Sequence, residues 1–114
     1  MGAAFPPAAR LRQPREFESV LSAGTRLNEK LLSVAVRDNT LGFARLGLAV
    51  SARAMPRAVD RNRLKRQARE SFRANRATLP ARDLVVSART GAAQASSAEL
   101  RATLERLWQK LRAR

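Results

Sequence analysis

The stretch "DRNRLKRQARESFRANR", residues 60–76, carries seven basic residues against only two acidic ones. At 100° per residue, Leu64, Ala68 and Phe72 fall on one side of a helix and form an apolar stripe. We therefore predict a helix over residues 57–75 that is anchored by this stripe. The rest of the fold has to supply an apolar surface against which the stripe packs.

The basic residues of this helix fall on a different side from the stripe. Arg61 alone lies close to it, near the helix start. A solvated helix usually mixes signs to gain ion pairs between residues four apart, and guanidinium groups suit phosphate oxygens. The pattern therefore favours binding of a phosphate backbone, although the few aromatic residues do not separate RNA from DNA. The polar strip follows spacings of 3, 4, 4 and 3, with Arg66 beside it: Asn62, Lys65, Arg69, Arg73 and Arg76.

Segments on both sides of the basic helix alternate in hydrophobicity, which is typical of strands. They are "LLSVAVR" at 31–37, "RLGLAVS" at 45–51 and "DLVVSAR" at 83–89. The turn-rich "DNTLGFA" at 38–44 separates the first two, so we predict that they form a hairpin. We also predict a short edge strand at 25–27.

Two further helices complete the predicted domain, one at each end. Phe17, Val20 and Leu21 form a stripe that begins after Pro14, and Gly24 suits a left-handed stop. The last helix follows a capping box of Ser96 and Glu99. Its apolar stripe consists of Leu100, Leu104, Leu107, Trp108 and Leu111.

The resulting order, α-β-β-α-β-α, predicts an α+β fold with helices layered on a small sheet. We assign residues 13–114 to a single nucleic-acid-binding domain and residues 1–12 to a flexible basic N-terminal arm. The 114 residues suffice for one compact domain with a modest core.

Composition limits the possible functions. Lys and Arg number 23 against 9 acidic residues, a formal net charge of +14, which favours a polyanionic partner. The chain has no His and no Cys, and its acidic residues are scattered, so we predict neither a catalytic residue nor a metal site. No apolar run is long enough to span a membrane, and a cytoplasmic protein is the simplest interpretation. Membrane-surface binding is disfavoured because the core needs the narrow stripe of the basic helix.

The stretch "RLGLAVSARAMPRAVDRNRLKRQARESFR", residues 45–73, resembles the signature of the protein subunit of bacterial ribonuclease P. That family carries a Gly-Leu-x-Val-Ser strand, a basic loop, and Arg-Asn-Arg-x-Lys-Arg-x-x-Arg-Glu on a helix. Looser similarity extends to "PREFESVL", "DLVVSAR" and "LERLWQKL". The positions that match the helical motif are Arg61, Asn62, Arg63, Lys65, Arg66, Arg69 and Glu70.

The resemblance implies an α-β sandwich of the ribosomal protein S5 domain 2-like class, with a small mixed sheet and three helices. It also implies that the protein binds a catalytic RNA and the 5′ leader of precursor tRNA. The RNA would cleave the leader with the help of Mg²⁺ ions, which are held mainly by the RNA. The protein alone would cleave nothing. We expect no membrane partner and no obligate protein partner. The alternative is a structural, ribosomal-type RNA-binding protein without a role in cleavage.

Candidate site residues follow from the same resemblance, position by position. The family usually has Ser-Lys-Lys after the strand, where this chain has Ser-Ala-Arg at 51–53. It often has aromatic residues where Leu21 and Ala35 stand, so we expect weaker base stacking here. From the residues alone, Phe17 is better explained as core. The implied leader cleft contains Phe17, Leu21, Ala35 and Arg45, and the implied RNA-binding residues are Arg53, Arg61, Asn62, Arg63, Lys65, Arg66, Arg69 and Arg73.

Overall fold

The structure, a computed structural model, describes residues 6–114 as one sheet with helices on both faces. The strands are β1 (Thr25–Asn28), β2 (Leu32–Asp38), β3 (Arg45–Ala49) and β4 (Arg82–Ala88). Their order in the sheet is β1-β2-β4-β3, with β3 parallel to β4 and the other two pairings antiparallel. The predicted small mixed sheet and the short edge strand are confirmed.

The predicted hairpin is wrong, because β4 lies between β2 and β3. Val86 is aligned with Val34 of β2 on one side and with Leu48 of β3 on the other. Leu84, Val85 and Val86 are all buried, so β4 is apolar on both faces. A strand of that kind gains most at the centre of a sheet, whereas a β2–β3 hairpin would have left it at an edge.

Three α-helices lie in the described part of the chain: α1 (Pro14–Ala23), α2 (Ala58–Asn75) and α3 (Ser97–Arg112). The stripe of α2 packs with that of α3 in the main core, and Phe72 meets Trp108 edge to face at 6.1 Å. A smaller cluster, which includes Ala35 and Val85, lies with α1 on the other face of the sheet. Both predicted stripes are confirmed, since every residue in them is fully buried.

The two predicted helix ends have different outcomes. The capping box of α3 is confirmed: Ser96 Oγ accepts from Glu99 N at 3.1 Å, and Glu99 Oε1 accepts from Ser96 N at 2.9 Å. The left-handed stop of α1 is wrong, because Gly24 has φ −81°. Glycine is needed there for space instead, since a Cβ would lie 2.4 Å from the Val20 carbonyl oxygen and 2.7 Å from that of Val36.

The N-terminal segment is packed where the structure describes it. Residues 1–5 of the predicted flexible arm lie outside the described residues. Ala9 and Leu11 are buried, and Leu11 N donates to Leu46 O at 2.9 Å. The arm prediction is therefore corrected over residues 9–11, because the exposed edge of β3 offers this segment both an apolar surface and a free carbonyl.

Candidate nucleic-acid interface

A groove of about 220 Å³ runs along the outer edge of β3. Among the described residues that line it, four are basic and none is acidic. A concave, positively charged surface of this kind suits the backbone of a single nucleic-acid strand. We call it the edge groove, and its lining consists of Arg10, Leu11, Arg12, Phe17, Leu46, Gly47, Leu48, Lys65 and Arg69.

Phe17 reaches the edge groove because β3 has a glycine opposite its ring. A Cβ on Gly47 would lie 2.7 Å from Phe17 Cε1 and 3.0 Å from Leu11 Cβ. The ring also packs against the cluster that contains Val85, and it remains only partly buried. Part of the Phe17 side chain therefore packs in the small cluster, and the rest lines the edge groove.

The other apolar residues of the predicted leader cleft lie under α1 rather than in the edge groove. Ala35 is 1% exposed and belongs to the same small cluster as Val20. Leu21 is partly buried against that cluster. Ala35 thus supports α1 from below and offers no surface on which a base could stack.

Arg45, the fourth residue of the predicted cleft, is held by two carboxylates at the start of β3. Its Nε and Nη2 donate to Asp83 Oδ1 and Oδ2 at 2.8 and 2.7 Å, and its Nη1 donates to Glu16 Oε2 at 2.8 Å. These hydrogen bonds, with that of Asp83 first, raise the pKa of Arg45 above its ordinary value. The pKa of Glu16 is lowered, chiefly by the backbone N–H of Gln13 and also by Arg45. The guanidinium therefore faces acidic partners.

The basic residues of α2 are divided between two sides of the helix. Lys65 and Arg69 line the edge groove. Arg66 lines a second groove between α2 and α3, together with Arg101. Asn62 is exposed at the surface near the start of the helix. The predicted cationic strip is thus a surface with two faces, only one of which meets Phe17.

Two of the predicted RNA-binding arginines hold neighbouring backbone. Arg61 Nη1 donates to Met55 O at 2.8 Å and to Pro56 O at 2.9 Å. Arg63 Nη2 donates to Ala95 O at 3.5 Å, in the segment that precedes α3. Their guanidinium groups thus secure the loops around α2 as well as adding positive charge.

The last two predicted RNA-binding arginines lie outside the edge groove, one in the loop before α2 and one near the C-terminal end of α2. Arg73 forms an ion pair with Glu70, a surface contact that contributes little to stability. Arg53 is exposed in the loop between β3 and α2. Of the two, Arg53 has the more open position for a ligand.

Sequence reasoning missed the contribution of the N-terminal segment to the groove. The sequence predicts a flexible arm for Arg10 and Arg12, yet both line the groove beside the buried Leu11. The alternation of apolar Ala9 and Leu11 with these two arginines was a usable strand-like signal. The role of Gly47 depends on a tertiary contact and had no local signal.

Acidic side chains in the described part of the chain are largely engaged by basic ones. Glu29 pairs with Arg106 and Lys110 of α3, as Glu16 and Asp83 pair with Arg45. Across residues 6–114, no three His, Cys, Asp or Glu side chains are grouped so that they could hold a metal ion. In the same residues, no helix is long and apolar enough to cross a membrane. The basic lining of the edge groove therefore suits a polyanion.

Comparison with known proteins gives a consistent family. The family model described as Ribonuclease P matches residues 5–112. The ribonuclease P protein component of Methylococcus capsulatus is 46% identical over 107 residues, which are 94% of this chain and 84% of that protein. The solved RNase P protein of Staphylococcus aureus aligns with a TM-score of 0.84 at 26% identity, over 90% of this chain and 94% of that one. The RNase P protein of Thermotoga maritima aligns with a TM-score of 0.77 at 31% identity, over 92% and 96%.

Proposed function

Because the chain belongs to the ribonuclease P protein family, we propose that it is the protein component of the ribonucleoprotein that matures the 5′ end of tRNA. In this role it binds the catalytic RNA and the single-stranded 5′ leader of precursor tRNA. The observation that carries the leader assignment is the edge groove, where four basic side chains meet the partly exposed ring of Phe17. Such a groove combines charge for the phosphates with a surface for a base.

The two sides of α2 suggest how the two RNAs are divided. Lys65 and Arg69 lie in the edge groove, so we assign them to the leader together with Arg10 and Arg12. We assign to the catalytic RNA the exposed residues that lie outside the groove, which are Arg53, Asn62 and Arg66. Both RNAs then lie against one helix, which holds them close together.

The proposed chemistry assigns cleavage to the RNA and binding to the protein. Mg²⁺, held mainly by the RNA, would supply the activated water and the charge stabilisation for phosphodiester hydrolysis. The basic side chains of this chain reduce the repulsion between two polyanions and hold the leader in place. Because Mg²⁺ also screens that repulsion, the protein should matter most when Mg²⁺ is scarce.

Reconstitution tests this proposal against the alternative of a purely structural RNA-binding protein. The purified chain is added to a bacterial ribonuclease P RNA at low Mg²⁺, with no other protein, and 5′ maturation of a precursor tRNA is followed. We expect faster cleavage at the mature 5′ end and no cleavage by the protein alone. If the protein binds the RNA but leaves the rate of cleavage unchanged, the structural alternative is favoured.

A further inference from the structure

The carboxylate of Glu16 joins the start of α1 to the sheet. Its Oε2 accepts from Arg45 Nη1 at 2.8 Å. Its Oε1 accepts from the backbone N–H groups of Gln13 at 3.1 Å and Arg12 at 3.4 Å. One side chain thus connects β3 to the backbone immediately before α1.

Arg45 is a firm attachment point for this connection. Asp83 holds its guanidinium through two hydrogen bonds, and Asn39 Nδ2 donates to Asp83 Oδ1 at 2.8 Å. Asp83 is only 8% exposed. Paired and hydrogen-bonded from several directions, the arginine has little freedom to move.

The residues that Glu16 holds are those that form one wall of the edge groove. Arg12 and Phe17 both line it, and Phe17 directly follows Glu16 in the helix. Building on the proposed function, we propose that Arg45 and Glu16 act as a positioning pair. They hold the N-terminal wall of the groove so that Arg12 and Phe17 meet the leader, and Arg45 itself does not contact RNA.

The charges around Arg45 argue against a direct phosphate contact. Each of its three nitrogen atoms already donates to a carboxylate oxygen. A phosphate would have to displace Glu16 or Asp83, or approach two negative groups. The direct and positioning roles therefore predict opposite signs when the Glu16 carboxylate is removed. If Arg45 contacts RNA directly, removal of the Glu16 carboxylate would release its guanidinium and strengthen leader binding. If Glu16 holds the wall of the groove, the same change would weaken leader binding.

The test compares Glu16→Ala with Glu18→Ala in the reconstituted complex. Both substitutions remove one negative charge from α1 and introduce a good helix former. Glu18 is exposed on the same helix and is not among the residues that line the groove. Dissociation constants are measured for precursor tRNA and for mature tRNA at one salt concentration, and thermal melts confirm that each variant is folded.

We expect Glu16→Ala to weaken precursor binding roughly tenfold relative to mature tRNA, whereas Glu18→Ala leaves that ratio unchanged or improves it. Arg45→Met should give the same loss, and the double variant should lose no more than either single one. A Glu16→Ala variant that binds precursor as tightly as Glu18→Ala does would overturn the positioning role. If wild type itself does not prefer the precursor, the proposed function fails instead, so the two failures are distinguishable.

Discussion

Substitution of Gly47 by Ala tests whether the ring of Phe17 really packs on β3. The new Cβ would lie 2.7 Å from Phe17 Cε1, 2.8 Å from Cζ and 3.0 Å from Leu11 Cβ. To restore a 3.4 Å contact, the ring must retreat by about 0.7 Å. The ring and Leu11 are both packed against the cluster containing Val85, so neither can move freely. Overpacking of this kind costs about 1–3 kcal/mol.

The assay is urea unfolding of Gly47→Ala beside a matched variant, Gly91→Ala. At Gly91 the backbone has φ −86° and the new Cβ would lie 3.4 Å from Leu31 Cδ2, an ordinary contact. We expect the free energy of unfolding to fall by about 1–3 kcal/mol for Gly47→Ala. For Gly91→Ala it should stay level or rise by about 0.4–1 kcal/mol. If the two variants are within about 0.5 kcal/mol of each other, the ring is not packed as described.

Three further predictions concern the basic surface, the core and acid stability. In filter-binding titrations, Arg69→Ala should weaken RNA binding more than Arg112→Ala does, and it should reduce the slope of log affinity against log salt concentration by about one. Equal losses for the two variants would mean that the position of the charge on the protein does not matter. Ser71→Ala should lower the free energy of unfolding by about 1–3 kcal/mol, because Trp108 Nε1 donates to Ser71 Oγ at 2.7 Å and would lose its partner. Hydrogen bonds from Lys110 and Arg106 of α3 lower the pKa of Glu29 below its ordinary value of 4.5. The stability that the Glu29 carboxylate contributes is therefore fully present above pH 4.5 and is lost as the pH falls further. Urea unfolding at several pH values should show that the free energy of unfolding falls less in acid for Glu29→Gln than for the wild type.

Much of the fold was predictable because its signals are local. The stripe of Leu64, Ala68 and Phe72 and the capping box of α3 depend on residues a few positions apart, and both are present. The sheet order was not predictable in this way. Whether β3 pairs with β2 or β4 depends on contacts between segments far apart in the chain. The clue was that β4 is apolar on both faces, a property of a central strand.

The binding surface shows the same division. Helical spacing identified Lys65 and Arg69, which do line the edge groove. The place of Arg10 and Arg12 in the groove is not a local signal, because it depends on the hydrogen bond from Leu11 to the edge of β3. Charge counting also did not show that Arg45 is occupied by two carboxylates from distant parts of the chain.

The proposed function requires this chain to bind the 5′ leader of precursor tRNA while the catalytic RNA cleaves it. The most direct test is to measure the affinity of a bacterial ribonuclease P RNA for precursor and mature tRNA, with and without the protein, at one salt concentration. We expect the protein to tighten precursor binding at least about tenfold more than mature tRNA binding, because only the precursor would place leader phosphates in the edge groove. Equal tightening of both ligands would contradict it.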